Sequence, residues 1–426
     1  MRLLRLPRTT VGIDDKLDAT TTAARRRVLT LSCTAHALHD GYTDMIYALL
    51  PIWQSDFGLN YGALAVLRGI YAGTMATLQL PAGRLARRIG NGATLALGTL
   101  LAALGYAFAG LSGGLLALGA ALALSGIGSS TQHPVASGAV SRIYGANARG
   151  PLSIYNFAGD LGKSALPASI SLLVTVMPWR HALWIVSALG VAVALFIGRC
   201  FPAIPRGAVL GTSPDASMPL SPTPISSPTA SATTAQVKAR RAHSALNPGF
   251  MMLFLIGVFD TGVRMGLLTF LPFLLKEKGA AGSLIGTALA LVFIGGAAGK
   301  FACGWLGART GVIGTVLATE SGTAICIIAV MFCSLPLTLM LLPLLGVMLN
   351  GTSSVLYGTV PELTSTDHTE RAFAIFYTGT IGSGAIAPII YGILGDHLGV
   401  HGATFATALT AIAILPLALG LRRYLP

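Results

Sequence analysis

The chain has 426 residues, of which 53% are hydrophobic and only 10% charged, with 52 glycines; a soluble protein carries about a quarter charged residues. That composition excludes a soluble globular enzyme. Its formal net charge of +13 is spread over loops between apolar stretches, which excludes a basic nucleic-acid-binding domain as its cause.

In chain order, apolar stretches recur at 28–53, 62–83, 92–111, 114–140, 150–177, 180–200, 247–275, 281–303, 311–333, 336–360, 371–394 and 401–421. A run of roughly 20 such residues suffices to cross a bilayer as a helix. The expected fold class is therefore all-α integral membrane, with twelve transmembrane helices. Basic residues gather on one side of these spans. They include Arg25-Arg26-Arg27 in the tail, Arg84, Arg87 and Arg88 after span two, Arg142 and Arg149 after span four, and Arg309, Arg371, Arg422 and Arg423. The other side has Arg180, Lys276 and Lys278. By the positive-inside rule, both termini and the central linker are expected in the cytoplasm of a cell (inner or plasma) membrane. The five cysteines show no paired spacing, so no disulfide framework is expected.

Residues 201–246 break the pattern with a Pro-, Ser-, Thr- and Ala-rich stretch that cannot bury enough apolar surface to order itself, so a disordered cytoplasmic linker is expected. The expected organisation is a cytoplasmic tail (1–27), a six-helix bundle (28–200), the linker (201–246) and a second six-helix bundle (247–426). The two bundles repeat at an offset near 220. "GRLARRIG" (83–90) aligns with "GWLGARTG" (304–311), matching Gly83, Arg88 and Gly90 with Gly304, Arg309 and Gly311. Gly159, Gly162 and Pro167 of span five align with Gly379, Gly382 and Pro388 of span eleven, with one slip. Asp40 and Asp44 of span one align with Asp260 and Arg264 of span seven.

Span five, "NFAGDLGKSALP", carries two opposite charges in an apolar run. At a bilayer centre the Asp and Lys together cost about 5–7 kcal/mol, which the apolar residues of the span only just offset. The helix is therefore expected inside the bundle. Asn156, Asp160, Lys163 and Pro167 share one stripe, and Gly159 and Gly162 adjoin it on a face suited to close packing. On that spacing Asp160 and Lys163 read as a one-sided charge pair, with a kink near Lys163 from Pro167. In span one, His36, His39, Asp40, Thr43, Asp44 and Tyr47 share an arc able to hold or relay a proton, or to pair with Arg68, Arg264 or Lys163. His133, Asp260, Arg264 and Lys300 add ionisable groups in spans four, seven and eight, and Glu320 lies in span nine. The substrate and proton pathway is expected to use His36, His39, Asp40, Asp44, Arg68, His133, Asn156, Asp160, Lys163, Asp260, Arg264 and Lys300. Packing and gating are assigned to the glycines and prolines above with Arg87, Arg88 and Arg309.

Two parallel six-helix halves, the signature-like loops after spans two and eight, and "GIGSSTQHP" (126–134) before a Gly-x-x-Gly…Pro span resemble the major facilitator superfamily. The likeness is nearest to its fosmidomycin-resistance branch, which comprises exporters. The resemblance implies two pseudo-symmetric six-helix bundles and transport by alternating access. The family's acidic loop position is Arg87 in one copy and Ala308 in the other, so the inner gate must close without that acid. No G-x-x-x-x-G-K-[ST] occurs, so ATP coupling is not expected and ion gradients remain. The expectation is a proton-coupled secondary transporter of a small polar or anionic solute or drug, with export favoured. Its partners are the substrate, protons and the lipid bilayer, without nucleic acid, as a monomer. No cofactor and no metal are expected. The alternatives are a proton symporter importing an organic acid and a non-transporting membrane scaffold or sensor. A membrane enzyme built on His36, His39 and Asp40 is the least favoured.

Overall fold

The computed structural model describes residues 11–202, 247–364 and 369–425, and those residues are helical with no strand. The linker and the first residues of the tail lie outside them. In chain order the helices are α1 (Val11–Phe57), α2 (Tyr61–Thr77), α3 (Gln79–Ile89), α4 (Asn91–Ala109), α5 (Leu115–Ser129), α6 (Gly138–Tyr144), α7 (Arg149–Val176), α8 (Trp179–Cys200), α9 (Pro248–Glu277), α10 (Gly282–Phe332), α11 (Leu335–Thr359) and α12 (Thr369–Leu421). α1 starts at Val11, well before the expected span. α10 and α12 each hold two spans, divided at Gly311 (φ 71°) and Gly399 (φ 70°). A left-handed φ stops a helix at little steric cost only where Cβ is missing.

The internal repeat shows in the backbone. Gly58 (φ 62°) and Gly279 (φ 83°) follow the C-terminal ends of α1 and α9, while Gly90 (φ 92°) and Gly311 break the chain between later matched spans. Expected span four instead divides into α5, a π-helical turn at His133–Ser137 and α6. Pro134 supplies no N–H and its ring crowds the preceding turn, so the helix widens there. The Ser137 hydroxyl donates to the His133 carbonyl within that turn. α7 runs unbroken as one helix with Pro167 inside it, so the residue tilts no separate segment into existence.

Among the described residues, eight helices or helix pieces are long and apolar enough to cross a membrane on composition alone. α1, α2 and α7 are not among them, and these three carry Asp40, Arg68, Asp160 and Lys163. Large apolar side chains such as Leu80, Leu116, Val176, Phe332 and Met340 are exposed. Such a surface suits lipid rather than water.

The packing of the two halves differs between their ends. At the end opposite the termini, one core runs through both halves: Tyr42, Trp53, Leu64 and Leu67 belong to the same cluster as Leu267, Phe270, Leu271, Ile285 and Leu289. At the end carrying the termini the core is split. Phe250, Ile256, Leu356, Phe376 and Ile414 form a cluster within the second half. Leu31, Ala35, Leu95, Tyr155 and Ile197 form another within the first. The halves thus join firmly at one end and part at the other. At the closed end Asp396 accepts from the backbone amides of Tyr61 (2.7 Å) and Gly62 (3.0 Å). This carboxylate caps the start of α2 from the opposite half. Gly286 lies so close to α7 that a Cβ would be 2.4 Å from the Pro167 carbonyl oxygen and the Ser171 side chain. Tyr61 rests on Phe270 and Phe273.

Candidate functional site

The site begins with two glycines. A Cβ on Gly162 would lie 1.8 Å from the Ala37 carbonyl oxygen, and one on Gly41 would lie 2.8 Å from the Gly162 carbonyl oxygen. Only bare backbone permits this approach of α1 to α7. The approach sets Asp40 against the polar stripe of α7. Gly159 adjoins the same contact, where a Cβ would meet Asp40 Oδ2 at 2.6 Å and His36 Cε1 at 2.7 Å. The second-half counterparts differ. Gly379 packs on Phe254, whereas Gly382 has nothing within 4 Å of a built Cβ, so its expected packing role is corrected. Gly83 also faces open space.

Asp160 and Lys163 do not pair with each other. Lys163 Nζ lies 3.3 Å from Asp40 Oδ2 within the first half. Asp160 accepts from Lys300 of α10 through both carboxylate oxygens, each 2.7 Å from Nζ. The expected one-sided pair is thus two pairs, one inside the first half and one between halves. Residues three apart on a helix share a side, but long lysine stems reach neighbouring helices. Asn156, on the same stripe, is exposed and lies off the cavity.

A cavity of about 260 Å³ lies between the halves, lined by Asp40, Thr43, Asp44, Arg68, His133, Asp160 and Lys163 from the first half. The second half contributes Arg264, Met265, Phe293, Asn350, Tyr357 and Thr380. Most of the sequence-predicted ionisable residues therefore converge on one space. Arg68 is buried with its guanidinium over the Tyr47 and Tyr71 rings, at 5.1 and 5.8 Å. Its Nε and Nη1 have no hydrogen-bond partner. Arg264 donates to Ser353 (3.1 Å) and Asn350 (3.4 Å), and its Nε has no partner. Among the described residues, neither arginine has a carboxylate within ion-pair distance, and Asp44 has no cationic group within that distance.

The remaining members stand around that space. Asp260 accepts from Ser353 (3.1 Å), so one serine links it to Arg264. Its carboxyl group also contacts that of Glu320, which accepts from Thr352 at 2.6 Å. Glu320 is the clearest addition to the expected site: its position in an apolar span was visible, its neighbour on another helix was not. His39 turns away from the cavity toward Ser129 (3.2 Å) and Thr99 (3.0 Å). Thr380 and Ser383, at the positions matching Asp160 and Lys163, contact protein hydroxyl and backbone groups: Tyr357 lies 3.4 Å from Thr380, and Ser383 donates to the Val258 carbonyl at 2.6 Å.

Around the loop signature, Arg87 donates to the Gly83 carbonyl (3.4 Å) and Arg309 stacks on Trp305 at 3.9 Å. Arg88 is exposed, Gly304 lies within α10, and Pro388 is buried inside α12.

Two six-helix halves around a charged central cavity, closed at one end, agree with the family model for the Major Facilitator Superfamily, which matches residues 33–259 and 253–425. The chain belongs to the major facilitator superfamily. It is thus a multi-pass membrane transporter of that family. A curated relative, the fosmidomycin resistance protein of Escherichia coli (strain K12), is 26% identical over 189 residues. The match covers 43% of this chain, and it spans about half the length of that relative, 47%. Among solved structures, the fold resembles a bacterial homolog of the human lysosomal transporter Spinster in its inward-facing and occupied conformation. The TM-score is 0.75 at 15% identity, covering 94% of this chain and 97% of that one. The inward-facing and unoccupied form of the same homolog gives 0.74 at 17% identity, covering 94% and 98%. At these identities the likeness concerns the fold.

Proposed function

We propose that this superfamily member is a proton-coupled secondary transporter that moves a small anionic solute by alternating access, with export as its direction. One observation carries the substrate class. Arg68 and Arg264 approach the same cavity from opposite halves, both with unpartnered guanidinium nitrogens and no carboxylate in ion-pair distance. Buried guanidinium groups favour planar oxyanions, which they bind through parallel N–H donors. A carboxylate or phosphonate between them would hold the two halves to one ligand.

Proton coupling is supported by the carboxyl groups around that ligand space. Asp44 lines the cavity without an ion-pair partner, and Asp260 meets Glu320 beside the serine that also serves Arg264. Acidic groups in a membrane interior commonly carry protons in transporters. The fosmidomycin-resistance likeness supports export, and no catalytic role is proposed for any residue.

With the termini and linker cytoplasmic, as the basic loops imply, the open end faces the cytoplasm of a cell membrane and the conformation is inward-facing. The Spinster-homolog likenesses agree in fold with that reading. The organisation is then a cytoplasmic tail and linker around two rigid helix bundles, working as a monomer. Purified protein in liposomes with an imposed pH gradient tests this reading. Uptake or release of carboxylates and phosphonates should follow the gradient and stop when protonophore collapses it. Flux that ignores the gradient would contradict proton coupling.

A further inference from the structure

His36 of α1 stands beside His133, which lines the central cavity. His36 is buried on α1, and its Nδ1 lies 2.8 Å from the Tyr155 carbonyl oxygen. A carbonyl only accepts, so Nδ1 carries the hydrogen and donates it. In the neutral ring the Nε2 lone pair is then directed to the opposite edge. That edge meets Asp40, whose Oδ2 is 3.2 Å away. Two electron-pair donors face each other there, and the contact is not aligned as a hydrogen bond: Nε2 has no hydrogen-bond partner.

The third group comes from the π-turn. By widening the helix at His133–Ser137, the Pro134 break brings the His133 ring edge-on to His36 with centroids 5.4 Å apart. One donor atom each from His36, Asp40 and His133 lies within 4.8 Å of the others. Tetrahedral binding at bond lengths of about 2.0–2.2 Å needs donors roughly 3.3 Å apart, so a small rotation of the half-buried His133 ring closes the set. The Nδ1–H to carbonyl bond is the outer contact that fixes tautomer and ring orientation in metal-ligating histidines. Gly159 keeps the space beside this edge free of a side chain, and Asp40 and His133 both line the cavity, which supplies an entry path.

We propose that His36 Nε2, Asp40 Oδ2 and His133 form a site for a divalent transition-metal ion such as Zn²⁺, Co²⁺ or Ni²⁺, with its fourth position open to the central cavity. Two imidazoles and one carboxylate suit these borderline cations and not Ca²⁺ or Mg²⁺, which require oxygen donors. Lys163 touches the same Asp40 oxygen. The metal and the ammonium therefore compete for it, and metal binding releases Lys163 from α1. The site does not depend on the identity of the transported solute.

Co²⁺ titration of tag-free protein in detergent tests the proposal, with the visible d–d absorption of four-coordinate Co²⁺ and its displacement by Zn²⁺ as readouts. Wild type should saturate at one equivalent. His36→Gln and His133→Gln should each weaken binding by at least about ten-fold, while the exposed outer His181→Gln leaves it unchanged. Lys163→Met should tighten binding, which a purely structural histidine pair does not predict. Thermal melting of each variant separates ligand loss from misfolding, and the half-buried His133 variant is the one least coupled to packing. Absence of a saturable d–d band in wild type, or binding as tight as wild type by the folded His36→Gln and His133→Gln proteins, overturns the site. Unchanged affinity in Lys163→Met overturns the exchange.

Discussion

Asp160 of α7 grips Lys300 of α10 through both carboxylate oxygens at 2.7 Å. This is an ion pair between the two halves of the molecule, on the open side of their shared core. α7 and α10 touch again nearer the closed end, where Gly286 meets Pro167 and Ser171. The pair therefore lies where the halves begin to part, and its strength bears on the balance between open and closed forms. Lys300 is partly exposed, so the pair is worth less than a fully buried one.

Replacing Asp160 with Asn or Lys300 with Met should widen the spread of distances between spin labels at Arg84 and Glu362, one on each half at the open end. Reversing both charges together should restore most of the wild-type distribution. Directly contacting groups couple by about 0.5–3 kcal/mol, enough to change a two-state population several-fold. Electron-electron distance measurements read this directly, and additive single effects would show that the contact is incidental.

Gly162 and Gly382 occupy matched places in the repeat but different surroundings. A methyl group on Gly162 would strike the Ala37 backbone, which no rotamer change relieves, while one on Gly382 enters open space. Gly162→Ala should lower stability by about 1–3 kcal/mol and Gly382→Ala by less than about 0.5 kcal/mol. Thermal melting in detergent compares them. Equal shifts would mean that α1 and α7 do not approach as closely as described.

Gly90 and Gly311 break the chain with positive φ and have nothing within 4 Å of a built Cβ. The cost of a side chain there is purely conformational. Gly311→Ala and Gly311→Asn should each destabilise by about 1–3 kcal/mol, because φ 71° with ψ 179° lies in a region essentially confined to glycine, where Asn has no advantage over Ala. A melting temperature for either variant equal to that of wild type would contradict this conformation at the break.

These cases mark what the sequence could reveal. Among the described residues, nine of the twelve spans are apolar enough to be read by composition, the Ala372–Leu421 piece of α12 holding two of them, and the Gly90–Gly311 match exposed the repeat. Spans one, two and five (α1, α2 and α7) were harder, because their charges lower hydropathy where the site lies. Helical spacing also placed Asp160 and Lys163 on one side of α7. Their partners were illegible, since spacing along a helix says nothing about which helix faces it: Lys163 turns to Asp40 and Asp160 to Lys300. His39 shares its arc with Asp40, yet hydroxyls on α4 and α5 draw it outward. Glu320 became part of the site only when α10 folded back beside α9.

In the proposed function, Arg68 and Arg264 hold one anion from opposite halves. Binding of small carboxylates and phosphonates to purified protein, measured by calorimetry for wild type, Arg68→Gln and Arg264→Gln, tests it most directly. A buried charged hydrogen bond to a ligand is worth about 2–5 kcal/mol when truncated, so the anion that binds wild type should lose at least ~30-fold in affinity in each variant. Undiminished affinity in both folded variants would contradict the claim.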